Sequence, residues 1–273
     1  MTPRTAACSA KRGPIATTAL VLSALALAGV LLETARFWHG VGRARRFAKA
    51  GQRFERRLSA QGARVLILGD STGVGVGATV PDESIAGLLA ADYPDADIVN
   101  VAVSGTRVAS AIAQVRTCLE AGVRFDLALL HVGANDVVAD TPLHQLALDC
   151  DALLEELGKL AVRIAWLGPP DLGLAPLFPR PYARVMASRS RAAAHVFCAA
   201  AARRDVVFVD FSAPAHVAHF RARRRNHFAV DGFHPNSATY SYAYTTAREM
   251  LGLRVRPGHG AHERVLLQTV MDM

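Results

Sequence analysis

A short apolar run, Val65 to Leu68, ends in Gly-Asp-Ser-Thr-Gly at residues 69–73, and three further small residues follow at Gly75, Gly77 and Ala78. An acid, two hydroxyls and a cluster of glycines at the end of a strand can cradle a phosphate or present a nucleophile. A phosphate loop needs a lysine and then a serine or threonine after its glycines, and no such pair is here. A dinucleotide fingerprint does match at Gly73, Gly75 and Ala78. It also requires an acid at the end of the next strand to hold the ribose, and that strand runs out in Val-Ala-Val-Ser-Gly at residues 101–105. The nucleophile reading remains.

A serine hydroxyl needs a base to take its proton, usually a histidine. The histidine needs an acceptor that fixes its tautomer and stabilises the imidazolium. The developing oxyanion needs donors already in place. Ser71, His234 and Asp231 can fill the first three roles, with the acid three residues before the histidine in Asp-Gly-Phe-His-Pro. The backbone N–H groups of Ser71 and Gly105, with the Asn135 side-chain amide, can supply the oxyanion donors. Each has an ordinary structural reading beside the chemical one. Ser71 suits a helix N-cap, and Asn135 suits a turn. Asp70 is read as bonding backbone groups of its turn, Asp136 as a cap or turn residue, and His131 as a hydrogen-bonded core histidine. What favours the chemical reading is that all the candidates fall at strand ends or in the last turn before the final helix.

The elements that would bring them together are visible as pattern. Uninterrupted apolar runs at 64–70, 97–105, 125–136, 162–170 and 205–212 suit strands buried on both faces. Helical periodicity separates them at 84–91, 108–121, 143–161, 181–202 and 237–251. Strand–helix alternation implies βαβ units and a parallel sheet with helices on both faces, and ligands of such sheets bind outside the carboxyl ends of the strands. The irregular stretch 168–181 is a candidate rim or lid loop, apolar enough to line an acyl groove, with a plain surface loop as the alternative reading.

Four blocks in order, Gly-Asp-Ser at 69–71, Gly105, Gly-Ala-Asn-Asp at 133–136 and Asp-Gly-Phe-His-Pro at 231–235, resemble those of the SGNH hydrolases, also called GDSL esterases/lipases. The resemblance spans residues 64 to about 251. It implies a flavodoxin-like, three-layer α/β/α fold with a five-stranded parallel sheet, and hydrolysis of esters or thioesters through an acyl-serine. Carried over block by block, Ser71 is the nucleophile and first oxyanion donor, Gly105 the second donor, Asn135 the third, His234 the base and Asp231 its orienting acid. Two positions depart from the usual pattern: Thr72 stands where leucine is common, and Ala102 where many members have glycine. Gly-Asp-Ser-Thr-Gly also fits the G-x-S-x-G elbow of α/β-hydrolases. That fold usually places the nucleophile after several earlier strands, whereas Ser71 follows the first. Two alternatives share these residues, acyl transfer or deacetylation on a cell-envelope glycan and a silent binding module of the same fold.

The rest of the 273-residue sequence bounds the setting. Its net charge of +8 comes without a nucleic-acid motif, so no nucleic-acid partner is expected, and residues 221–225 read as a solvated basic face. Cys8, Cys118, Cys150 and Cys198 form no C-x-x-C, and the last three sit in apolar helical patterns as buried thiols. His195, His216, His219 and His227 offer no metal-ligand constellation; no metal or organic cofactor is expected. Residues 14–32 are uncharged and long enough to span a bilayer. Four regions follow: a signal-anchor or transmembrane segment at 1–36, a basic amphipathic linker at 37–62 lying near the membrane surface, the hydrolase domain at 63–253, and a tail at 254–273. Cleavage as a signal peptide is the competing reading of the first. Basic residues after residue 32 outnumber those before it, which by charge alone keeps the domain cytoplasmic; the short basic leader favours export, to the periplasmic side of an inner membrane.

Overall fold

The computed structural model describes residues 14–58 and 62–253. Five strands, β1 (Arg64–Gly69), β2 (Asp97–Asn100), β3 (Phe125–His131), β4 (Ala161–Leu167) and β5 (Val207–Val209), form one parallel sheet in the order β2-β1-β3-β4-β5. This is the flavodoxin-like order, and it reverses between β1 and β3. Val65, Leu66, Ile67 and Leu68 are all fully buried, as continuous apolar strands covered on both faces must be. Leu66 and Leu68 face a core built with α4 (Val108–Glu120), α6 (Leu143–Gly158) and α7 (Arg180–Ala202). Val65 and Ile67 face a second core built with α3 (Ile85–Asp92) and α9 (Ser237–Met250). The alternation of strand residues between two apolar layers is what makes the sheet a three-layer sandwich.

The five predicted helices are present, with boundaries shifted by up to three residues. Three short ones carry no periodic signal: α2 (Ser71–Val74), α5 (Ala134–Ala139) and α8 (Pro214–Ala222). The irregular stretch after β4 contains a 3₁₀ turn, Leu172–Leu174, capped by the Asp171 carboxylate on Gly173 N–H at 2.9 Å. Cys118 and Cys150 are buried, but Cys198 is exposed on α7, because the apolar stripe of that helix passes through Phe197 and Ala201 instead. Arg224, expected on a solvated face, donates to the carbonyls of Leu174 and Ala175 and so ties its loop to the rim.

Helix α1 (Pro14–Ala50) runs unbroken for 37 residues. It is long and apolar enough to cross a membrane, and Leu20, Leu22, Leu25 and Leu27 stand exposed. The sequence boundary at residue 36 lies inside it. Beyond that point Phe37, Gly40, Ala44 and Phe47, spaced three, four and three apart, form one face. That face packs on the domain: Phe37 stacks edge-on to Tyr182 at 5.6 Å, and Ala44 is buried. The segment after α1 continues along the domain in extended form. Arg56 N–H donates to Ile98 O at 3.0 Å and Ile98 N–H to Arg56 O at 2.7 Å, which covers the free edge of β2. The Arg56 guanidinium satisfies the carbonyls of Ala90, Tyr93 and Ala96 behind it. The basic residues expected to lie at a membrane surface thus include one that is structural. The first 13 residues, with their cations, and the tail from 254 lie outside the described residues.

At the end of β1 the sheet leaves room for no side chain. Gly69 has φ +123°, and a Cβ there would sit 1.8 Å from the His131 carbonyl oxygen. Gly69→Ala is therefore expected to lower the unfolding free energy by at least about 2 kcal/mol, read as a shift of the urea midpoint at unchanged slope; an unmoved midpoint would show that the β1–β3 junction yields freely.

Candidate active site

The turn that follows Gly69 is built by the sheet. Asp70 N–H donates to His131 O at 2.7 Å, which carries the chain across the end of β3. Asp70 is then the N-cap of α2: its Oδ1 accepts from Thr72 N–H at 2.8 Å and from the Thr72 hydroxyl at 2.8 Å. The cap is thus Asp70, and Ser71 is the first residue inside the helix. Its N–H is free of any partner among the described residues, as the first amides of a helix are.

Ser71 Oγ lies 3.1 Å from His234 Nε2, and His234 Nδ1 lies 2.5 Å from Asp231 Oδ2. The other Asp231 oxygen accepts from the backbone N–H groups of Phe233 and His234 at 3.0 and 3.1 Å. All three residues are buried. Burial works against an Asp231 carboxylate, but the imidazole and the two amides outweigh it and hold the carboxyl below its ordinary range. An ionised acid at Nδ1 keeps the proton there and leaves Nε2 free to accept one from Ser71.

Gly105 follows β2 in a turn with φ +89°, and its N–H also has no partner among the described residues. Asn135 sits in the first turn of α5. Its Nδ2 donates to Thr106 O at 3.0 Å and reaches Asp70 Oδ2 at 3.5 Å. Asn135 thereby touches the neighbour of Gly105 and the neighbour of Ser71. The three candidate oxyanion donors share one rim; both hydrogens of the Asn135 amide have acceptors here, and the one reaching Asp70 at 3.5 Å is the more weakly held.

The sequence did not point to Gln114, one helix away. Its amide brackets the last residue of β1, accepting from Gly69 N–H at 2.8 Å and donating to Gly69 O at 3.0 Å, and also donates to Thr106 Oγ1 at 3.0 Å. It fastens the serine turn to the Gly105 turn. Nothing in a lone glutamine on an amphipathic helix announces that. Asp136 caps α4 across the gap, accepting from Val108 N–H at 3.0 Å. Asn100 holds α2 by donating to Gly73 O at 2.9 Å.

Beside Ser71 and His234 opens a cavity of about 90 Å³. Its walls are mainly apolar, with Leu167, Leu174, Phe211, Phe220, Phe228 and Phe233 among them, and Pro169 to Leu172 contribute from the rim stretch. Asp70, His131 and Tyr240 also line it. Burial raises the Asp70 carboxyl to about 6 against the bonds from Thr72 and the field of His234, which favour its charge. His131 departs from the sequence expectation of a hydrogen-bonded core histidine. It is buried, but its Nε2 has no partner among the described residues. Burial alone lowers it to about 4.

Sheet order, the placing of the loops and the residues gathered at the carboxyl edge define the SGNH class of α/β/α hydrolases. Residues 67–242 match the GDSL-like lipase/acylhydrolase family, and the chain belongs to that family. It is an enzyme that hydrolyses esters. Among solved structures it is similar to TesA (22% identity, TM-score 0.55, 69% of this chain and 97% of TesA). It is similar also to a lipolytic G-D-S-L protein of Veillonella parvula (17%, 0.57, 70% and 99%). A variant of Axe2, an acetyl-xylooligosaccharide esterase from Geobacillus, is a third (20%, 0.57, 73% and 99%). At these identities the likeness is one of fold. No curated protein sequence matches the chain.

The unpartnered His131 gives a pH test. Its folded value, about 4, lies below the ordinary 6.5. The stability it contributes is therefore complete above pH 6.5 and is lost as pH falls toward 4, because only the unfolded chain takes up the proton. At pH 5 the loss is about 2 kcal/mol. Asp70, raised to about 6, acts in the opposite sense over the same range. Replacing His131 by glutamine is expected to shrink the drop in urea-unfolding free energy between pH 7 and pH 5 by about that 2 kcal/mol; an unchanged drop would mean that His131 is not held neutral.

Proposed function

We propose that the chain is a serine esterase held at a membrane by α1, with its catalytic domain on the periplasmic side. Ser71 is the nucleophile, His234 the general base and Asp231 the acid that orients it. The observation that supports this most is the unbroken hydrogen-bond path from Ser71 Oγ through His234 to Asp231, buried at the carboxyl edge of the sheet.

In this reading His234 Nε2 takes the hydroxyl proton as Ser71 Oγ attacks the acyl carbonyl. The tetrahedral oxyanion is met by Ser71 N–H, Gly105 N–H and the Asn135 amide hydrogen that at rest reaches Asp70 Oδ2 at 3.5 Å. The imidazolium, stabilised by Asp231, protonates the departing alcohol or thiol. A water activated by the same histidine attacks the acyl-serine and releases the acid. The apolar cavity receives the acyl group, so the substrate is a carboxylic ester or thioester of a small molecule, lipid or glycan. A sugar hydroxyl in place of that water would make the same residues an acyltransferase.

The test is hydrolysis of p-nitrophenyl esters from acetate to palmitate by the full chain. Ser71→Ala is expected to lower kcat by at least about 10³-fold, and Asn135→Ala by about 10²–10³-fold. With wild type, kcat/KM should rise about threefold to fourfold per added CH₂ until the cavity is filled. Equal rates for Ser71→Ala and wild type, both folded, would overturn the serine mechanism. An optimum at acetate would turn the reading toward deacetylation.

A further inference from the structure

Helix α1 does more than hold the domain. Its packed face touches the rim loop, His234 and the turn before Gly105. At one side Phe37 meets Phe178 and Tyr182, and Gly40 lies so close to Leu177 that a Cβ would fall 2.6 Å from Leu177 Cδ1. In the middle the Phe47 ring lies over His234, 6.3 Å between centroids. At the far side the Ala48 carbonyl accepts the Ser104 hydroxyl at 3.2 Å, next to Gly105. The helix thus spans from the rim loop to the turn that carries a candidate oxyanion donor, passing the histidine bonded to Ser71. All of α1 lies outside the family match at 67–242.

None of the residues lining the cavity beside Ser71 comes from α1. The two halves of an ester must part company at this site. Resting on the serine-esterase reading, the acyl half enters the cavity, and the other half departs past His234, because Nε2 must reach the leaving oxygen to protonate it. The wall on that side is Phe47. We propose that α1 forms the alcohol-side wall of the active site, and that Phe47 is a specificity-determining residue favouring an apolar, ring-sized alcohol. An aromatic face next to the base gains from contact with a flat apolar group and gains little from a small polar one. The Ser104–Ala48 bond makes Ser104 a positioning residue that sets the Gly105 turn against the same helix.

The test uses the full chain in detergent and two butyrate esters whose alcohols have similar acidity but differ in apolar bulk, benzyl and 2-methoxyethyl. Wild type is expected to prefer the benzyl ester. Phe47→Ala should lower kcat/KM for that ester about tenfold, chiefly through KM, and leave the 2-methoxyethyl ester within about twofold, with Phe47→Trp restoring most of the preference. Phe37→Ala loosens the same helix about 15 Å away along its axis and should leave the ratio between the two esters unchanged. A ratio that Phe47→Ala leaves unmoved, or that Phe37→Ala shifts equally, would overturn the proposal and leave α1 a fastening. Hydrolysis of neither ester nor of any p-nitrophenyl ester would instead overturn the serine-esterase reading on which it rests.

Discussion

The close contact between the last residue of β1 and the end of β3 sets the geometry of everything above it. Gly69 and His131 are register partners, and the missing side chain of Gly69 lets the His131 carbonyl approach its Cα region directly. The next amide, Asp70 N–H, closes on that same carbonyl. Two parallel strands are thereby locked at the point where the sheet order reverses, which is where such sheets open a crevice. The chain must leave the sheet in one direction only, and Asp70 converts that exit into a helix start by capping α2. Ser71 receives its position from this sequence of events. Gln114, bonded to both polar backbone groups of Gly69, reinforces the same junction from the opposite layer.

Around that junction lies an unusual concentration of buried polar groups whose ionisation is set in opposite directions. Asp231 is given two amides and an imidazole, so it stays charged despite burial. Asp70 has a hydroxyl and an amide, but full burial weighs more, and its carboxyl binds a proton more readily than usual. His131 has nothing at Nε2 and stays neutral. Burying polar groups is costly unless each is bonded, and sites of reaction are where proteins tolerate the exceptions. The two carboxylates beside His234 therefore differ in character: the one at its ring is held toward the charged form, and the other sits close to changing state just below neutrality.

Much of this was legible in the residues. Strands buried on both faces announce themselves as unbroken apolar runs, and β1 to β5 were found that way. Long amphipathic helices were found by period. The candidate Ser71, His234 and Asp231 stood out because a base with an acid three residues before it, in a glycine turn, has few other uses. What escaped was short or non-local. Helix α2 has four residues and α5 six, too few for a period to show. The roles of Gln114 and Thr106 depend on partners across the sheet, and no local pattern encodes those. His131 was expected to be satisfied because buried polar atoms nearly always are, and sequence carries no sign of the missing partner. In 37–50 the cations are the conspicuous feature, while the stripe of Phe37, Gly40, Ala44 and Phe47 that decides the packing lies between them.

The unbroken length of α1 gives the molecule a fixed azimuth. One rod carries an apolar half that faces no other described part of the protein and a second half clamped across the domain. A helix turns about 100° and advances about 1.5 Å for each residue. A single residue added or lost between Leu32 and Phe37 would therefore swing the whole domain by more than a quarter turn about that axis, while moving it outward or inward by less than the width of an atom. Such a change alters the heading of the domain relative to the apolar half far more than its distance from it. Length changes that preserve the heading come in steps of about seven residues, two turns.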